Sequence, residues 1–140
     1  MKIFHVDMNS FFASCEQARH LEYRGKPLIV CGDPKNRAGI VLAASYEAKA
    51  FGVKTTMLNH EAEKLCPSAI FVPVDHKYYV EISRKVMAIL DDFTPVKEQA
   101  SIDEAYLDMT GTEQLFGESR EAAEKIQSRI YKELKIKKDE

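Results

Sequence analysis

Tyr79, Ile82, Val86, Ile89 and Phe93 recur at intervals of three and four residues, and the pattern stops at Thr94-Pro95. That spacing lays one apolar stripe along a helix, and such a stripe needs another element to cover it. The residues that follow are of a different kind. Residues 96–101 and 105–109 are short runs of strand type, joined tightly around Ile102-Asp103-Glu104. A long helix feeding a tight hairpin restricts the chain to helices layered on an antiparallel sheet, an α+β arrangement.

The rest of the chain fits that frame. Residues 2–7 (KIFHVD) read as a buried strand ending in Asp7, and Asn9 or Ser10 can cap a helix over about 11–20. Residues 26–32 and 40–44 read as strands separated by the polar loop 33–39. Ser45 caps a short helix that Gly52 stops, and Asn59 caps another that ends before Pro67. Residues 69–74 form a further strand, where Pro73 predicts an edge position because it has no N–H to donate. Ser119 caps a last helix whose Ala123, Ile126, Ile130 and Leu134 share a face. No internal repeat is present. The charged residues 132–140 read as a solvated helix end with no closing strand, as if the chain were cut inside a domain.

Composition excludes several classes. With 45% hydrophobic and 30% charged residues, the chain is neither disordered nor of low complexity. No apolar run approaches the roughly 18 residues of a membrane helix, and residues 1–7 lack the h-region of a signal peptide. Cys15, Cys31 and Cys66 are odd in number and widely spaced, which argues against a disulfide framework or zinc site and for a reducing, cytoplasmic setting. The net charge of −2 announces no polyanion partner, but it is unevenly spread. Residues 11–74 carry 8 basic and 6 acidic side chains against 12 and 16 in the remainder, so a weakly basic insert sits within an acidic body.

Three carboxylates stand out. Asp7 ends one apolar run, and Asp103 and Glu104 lie almost a hundred residues later between two strands. Carboxylates at the ends of buried strands are costly unless something positive binds them. Magnesium, shared with nucleotide phosphates, is the usual partner of such a set. The bland alternatives are a solvated turn for Asp103-Glu104, a helix core for Phe11 and Phe12, a packing role for Tyr46 and a solvated Lys49.

The segments VDMNSFFASCEQ (6–17), SYEAKAFGVK (45–54) and ASIDEAYLDMTG (100–111), with GKPLIVCG (25–32), resemble the Y-family DNA polymerases, and among them the polymerase IV type. They occur in family order and spacing, so the resemblance spans the chain. It implies a ferredoxin-like antiparallel palm sheet backed by helices, with a small α/β fingers lobe inserted after the first strand. Residues 1–10 and 75–140 would be palm and 11–74 fingers, with thumb and little-finger domains absent. Asp7, Asp103 and Glu104 match the family's catalytic carboxylates, holding two Mg2+ ions with the carbonyl of Met8. Phe12 falls on the steric-gate position that selects deoxynucleotides. Phe11 and Phe12 would offer backbone N–H groups to the triphosphate, and Tyr46 and Lys49 would contact its phosphates.

The partners implied are primer–template DNA and deoxynucleoside triphosphates, with a sliding clamp expected of the full-length protein through regions absent here, and no membrane. The activity implied is error-prone, translesion DNA synthesis. Isolated residues 1–140 are expected to extend a primer little or not at all. Two departures stand in the nucleotide lobe: Lys49 where many relatives have Arg, which loses the bidentate fork, and Ala43 where many have a hydroxyl. A nucleotidyl cyclase, which uses a related palm, and a catalytically silent binding module are the competing readings. The SYEAKAFGVK insert argues against the first and the three retained carboxylates against the second.

Overall fold

The structure, a computed structural model, describes residues 2–8, 10–36 and 38–136. The chain divides into two compact units, one formed by Met1–Asn9 with Lys77–Glu140 and the other by Ser10–His76. Asn9, one of the two expected caps of the first helix, lies outside the described residues, as does the end of the charged tail.

The first unit holds an antiparallel sheet of β1 (Ile3–Asp7), β5 (Lys97–Ser101) and β6 (Glu104–Asp108), in the order β1-β6-β5. Side chains alternate across it, as the two-residue period of a strand requires. Val6, Ala105 and Leu107 are buried on one face, while His5 and Tyr106 are exposed and Asp7, Glu104 and Asp108 half-buried on the other. Covering the inner side is work for α4 (His76–Asp91), which buries Tyr79, Ile82, Ser83, Val86, Met87, Ile89 and Leu90. The expected stripe is therefore dry along its whole length, Phe93 included. Each of these large side chains contributes roughly 1.5–3 kcal/mol by leaving water. An exposed ion pair, by contrast, gives about 0–1 kcal/mol, so apolar burial outweighs surface charge in holding this unit together.

A short α5 (Glu113–Phe116) precedes α6 (Ser119–Leu134), and the Phe93 and Phe116 rings meet at 4.8 Å. In α6 the buried positions are Ala122, Ile126 and Ile130, followed by Ile136 beyond its end; Ala123 and Leu134 are only half-buried. The face is rotated slightly from the expected one. Ser119 is the first helical residue rather than the cap, which is Glu118, and no side chain caps the helix.

The second unit holds β2 (Leu28–Cys31), β3 (Val41–Ala44) and β4 (Ile70–Pro73) in the order β3-β2-β4, with β2 antiparallel to β3 and parallel to β4. β2 is central and all four of its residues are buried, which is why it reads as an unbroken apolar run. β4 lies at the edge, where Pro73 costs no ladder bond. Ile29, Val41, Ala44, Ala48, Val53, Ala62 and Cys66 form the core under this sheet. α1 (Phe11–Arg19), α2 (Tyr46–Lys49) and α3 (Asn59–Leu65) complete the unit.

Two of the expected caps behave differently in this unit. Ser45 caps α2 as expected, its Oγ accepting from Ala48 N at 3.3 Å, and it also accepts from Leu28 N at 2.9 Å. That one hydroxyl ties strand to helix. Asn59 is not the cap of α3, a place taken by Leu58; its side-chain amide donates instead to the Asn36 carbonyl at 2.9 Å and anchors the polar loop. The same Asn36 carbonyl also accepts from Gly39 N at 3.0 Å, so the two bonds together close the loop.

Candidate functional site

Antiparallel pairing of β1 with β6 sets Asp7 directly opposite Glu104 and His5 directly opposite Tyr106. Neighbouring pairs on one face of a sheet are in side-chain reach, both straight across and along the diagonal. His5 uses the diagonal: its Nε2 lies 3.0 Å from Glu104 Oε2, while its ring stacks on Tyr106 at 4.7 Å and 18°. One ligand atom each from His5, Asp7 and Glu104 fall within 4.8 Å of one another. Two residues whose carboxylates stand almost a hundred positions apart in sequence thus meet at one point of an open sheet face.

Asp103 and Met8 sit at the adjoining turn. Met8 N donates to the Asp103 carbonyl at 3.0 Å, tying the end of β1 to the β5–β6 turn. The Ser83 hydroxyl of α4 donates to the Ile102 carbonyl, so the turn is pinned from two directions. The Asp103 carboxylate accepts from Ser101 Oγ at 2.9 Å, and it is not in the group formed by His5, Asp7 and Glu104. The structure thus brings Asp7 and Glu104 together, and holds Asp103 beside them by its backbone with its side chain engaged locally.

His5 and Ser83 were not singled out from sequence. His5 had a signal: it precedes Asp7 by two, so it must share Asp7's face of the strand. Ser83 had a weaker one, a hydroxyl inside the apolar stripe of a long helix, where a buried polar group needs a fixed acceptor.

The other expected residues lie in the second unit. Ser10, immediately before α1, adopts a left-handed conformation (φ 56°, ψ 34°), and its hydroxyl is buried with no hydrogen-bond partner among the described residues. Phe11 is buried, as a helix-core reading has it. Phe12 is half-buried and its ring meets His76 edge-on at 5.8 Å. Tyr46 and Lys49 occupy one exposed face of α2, with the Lys49 ammonium 5.8 Å from the Tyr46 ring centroid. Elsewhere in this unit Glu16, almost fully buried, receives two bonds from Arg19, and Arg19 also pairs with Asp75 at 3.0 Å. Both partners hold the Arg19 guanidinium above its ordinary value against the cost of its partial burial.

Chemically, the first unit presents two carboxylates and an imidazole at one point of a solvent-facing sheet. Hard divalent cations such as magnesium and manganese take oxygen donors of this kind, whereas imidazole suits zinc, copper, iron and nickel.

The impB/mucB/samB family model matches residues 6–138, and the chain belongs to that family. Among similar proteins, the DNA polymerase IV of Clostridium kluyveri is 58% identical over 132 residues, covering 94% of this chain and 33% of its own length. That of Listeria innocua is 46% identical, covering 95% and 37%. Among solved structures, a Y-family DNA polymerase chimera, Dbh-Dpo4(243-245)-Dbh, superposes with a TM-score of 0.88 at 37% identity over 99% of this chain and 41% of that one. An insertion ternary complex of Dbh DNA polymerase superposes at 0.86 and 38% identity, with 99% and 41% covered. The resemblance to Y-family polymerases read from the three sequence blocks therefore holds, and so does the α+β fold it implied. The chain spans about a third of the length of the curated relatives it matches.

Proposed function

We propose that the chain forms the palm and fingers of a template-directed DNA polymerase of the translesion type, adding deoxynucleotides to a primer 3′-hydroxyl. The observation that carries this reading is the placement of Asp7 and Glu104 opposite one another, with ligand atoms within 4.8 Å, on the solvent-facing side of the β1–β6 pair. In this reading the unit of Met1–Asn9 and Lys77–Glu140 is the palm, and Ser10–His76 is the fingers. A pair of magnesium ions would supply charge neutralisation for the triphosphate and activation of the primer hydroxyl.

The residues present suit such a group. Asp7 and Glu104 offer oxygen donors from rigid strands, and Asp103 and the Met8 carbonyl lie at a turn fixed by the Met8–Asp103 and Ser83–Ile102 bonds. Rigid placement matters because phosphoryl transfer needs positioning more than covalent help.

In the fingers, a buried Ser10 hydroxyl with no partner among the described residues stands at the N-terminus of α1, where the first N–H groups, those of Phe11 and Phe12, have no intrahelical acceptor. An orphaned donor at a helix N-terminus suits an anion such as a triphosphate. Tyr46 and Lys49, exposed on α2, would bind its phosphates, Lys49 as a point charge rather than a fork. Phe12 would act as the gate: its half-buried ring, held edge-on by His76, has little freedom to yield to a 2′-hydroxyl. The partners are primer–template DNA and deoxynucleoside triphosphates, in a cytoplasmic setting.

Replacing Asp103 by Ala in the full-length protein should abolish primer extension while leaving DNA binding in place; near-normal turnover would contradict the reading. Replacing Phe12 by Ala should raise ribonucleotide incorporation, and an unchanged sugar preference would remove the gate.

A further inference from the structure

We propose that His5 is a positioning residue of the carboxylate site: it fixes Glu104 in the orientation in which one carboxylate oxygen remains available to a divalent cation. The proposal rests on the cation-site reading above and deepens it by a residue outside the carboxylate set.

The geometry separates the two oxygens of Glu104. His5 Nε2 lies 3.0 Å from Oε2, which leaves Oε1 free of that contact. Only the Nε2–H tautomer of a neutral ring is needed for this bond, so it does not depend on the ring becoming charged. The ring is itself held. It lies nearly parallel to Tyr106 at 4.7 Å, and Tyr106 is its direct partner across the β1–β6 ladder. Tyr106 therefore fixes the imidazole plane, the imidazole fixes Glu104, and Asp7 faces Glu104 across the same ladder.

Without such a brace a glutamate has several rotamers, and clamping it onto a cation removes that freedom. Asp7 opposite would also push an unbraced Glu104 carboxylate away, because like charges directly across a ladder repel. A group that orients a ligand without necessarily binding the metal typically changes metal affinity by about 10- to 100-fold. At a solvent-facing site the lower end applies. A decorative surface pair would contribute almost nothing to the same measurement.

Two substitutions separate the possibilities. His5→Phe keeps a flat ring to stack on Tyr106 but has no donor. His5→Gln loses the ring but places an amide N–H at a similar reach. The probe is Mn2+ alone, added to the native protein and followed by the electron paramagnetic resonance signal of the free ion, so no turnover is involved. His5 is exposed, and circular dichroism of each variant checks that it is folded.

The expected result is a dissociation constant about tenfold higher for His5→Phe and within about twofold of the parent for His5→Gln. Equal or tighter binding by His5→Phe would overturn the proposal. So would a His5→Gln variant as weak as His5→Phe, because that result makes the imidazole a ligand in its own right. If the parent bound no Mn2+, or if Asp7→Asn left binding unchanged, the cation-site reading would fall together with the role of His5. If Asp7→Asn removed binding and His5→Phe did not weaken it, only the role of His5 would fall.

Discussion

Asp7→Asn should make the cation-free protein more stable and the cation-bound protein less so. The ligand atoms of Asp7 and Glu104 lie within 4.8 Å of each other, in half-buried positions on an open sheet face. At that separation two unit charges repel by about 0.9 kcal/mol in bulk water and about 3.5 kcal/mol at an effective dielectric near 20. Salt screens over about 8 Å at physiological strength, and the His5 bond compensates part of the Glu104 charge. Relief of about 1 kcal/mol on neutralising Asp7 is therefore expected, a rise of about 3 °C in midpoint for a chain of this size. Asn keeps the shape of Asp, so packing is not disturbed.

Magnesium reverses the order. A ligand at 100 times its dissociation constant stabilises the folded state by about 2.7 kcal/mol. The parent should gain that amount, and Asp7→Asn should gain little. Thermal unfolding of both proteins in chelator and in saturating magnesium reads all four values. A variant less stable than the parent in chelator would show that the two carboxylates do not strain the empty site. A variant that gained as much from magnesium as the parent would remove Asp7 from the cation site.

Two further outcomes follow from the second unit. Ser45→Ala should cost about 1–3 kcal/mol, because the buried Leu28 N–H and the first turn of α2 both lose their acceptor; urea unfolding measures it, and a loss under about 0.5 kcal/mol would contradict the tie. Burial, reinforced by the neighbouring Glu16 charge and opposed by Arg19, pushes the Cys15 thiol far above its ordinary value. Its folded form therefore stays neutral as pH rises through the range where an unfolded thiol ionises, and stability falls with pH there. Iodoacetamide at about pH 8 should leave Cys15 unmodified in the native protein and alkylate it in denaturant; rapid native labelling would show that the site opens.

Much of the fold was legible because it rests on periodicity. The stripe from Tyr79 to Phe93 is buried as its spacing requires, and the hairpin after it is present. The edge position of β4 followed from Pro73, whereas the central place of β2 appears only in the structure. Caps were less legible, since Asn59 and Ser119 compete for partners that sequence does not display. Asn59 found the Asn36 carbonyl, and Ser119 moved inside its helix.

At the site, Asp7 and Glu104 were readable as ends of apolar runs, but their register was not. A shift of one residue between β1 and β6 would have turned Glu104 to the other face. The engagement of the Asp103 carboxylate by Ser101 depends on a two-residue turn whose side-chain choice no pattern encodes. His5 was hidden for a different reason: its place on Asp7's face was readable, but its contact with Glu104 depends on a diagonal neighbour from the far side of the chain.

The most direct test of the central claim is paramagnetic broadening by Mn2+ in the isotope-labelled protein. The account predicts that the first signals to broaden are those of Asp7 and Glu104, with His5, Met8 and Asp103 next, and that magnesium competes the effect away. Broadening centred on another acidic stretch, such as Asp91-Asp92 or the outer face of α6, or none at stoichiometric Mn2+, would contradict it.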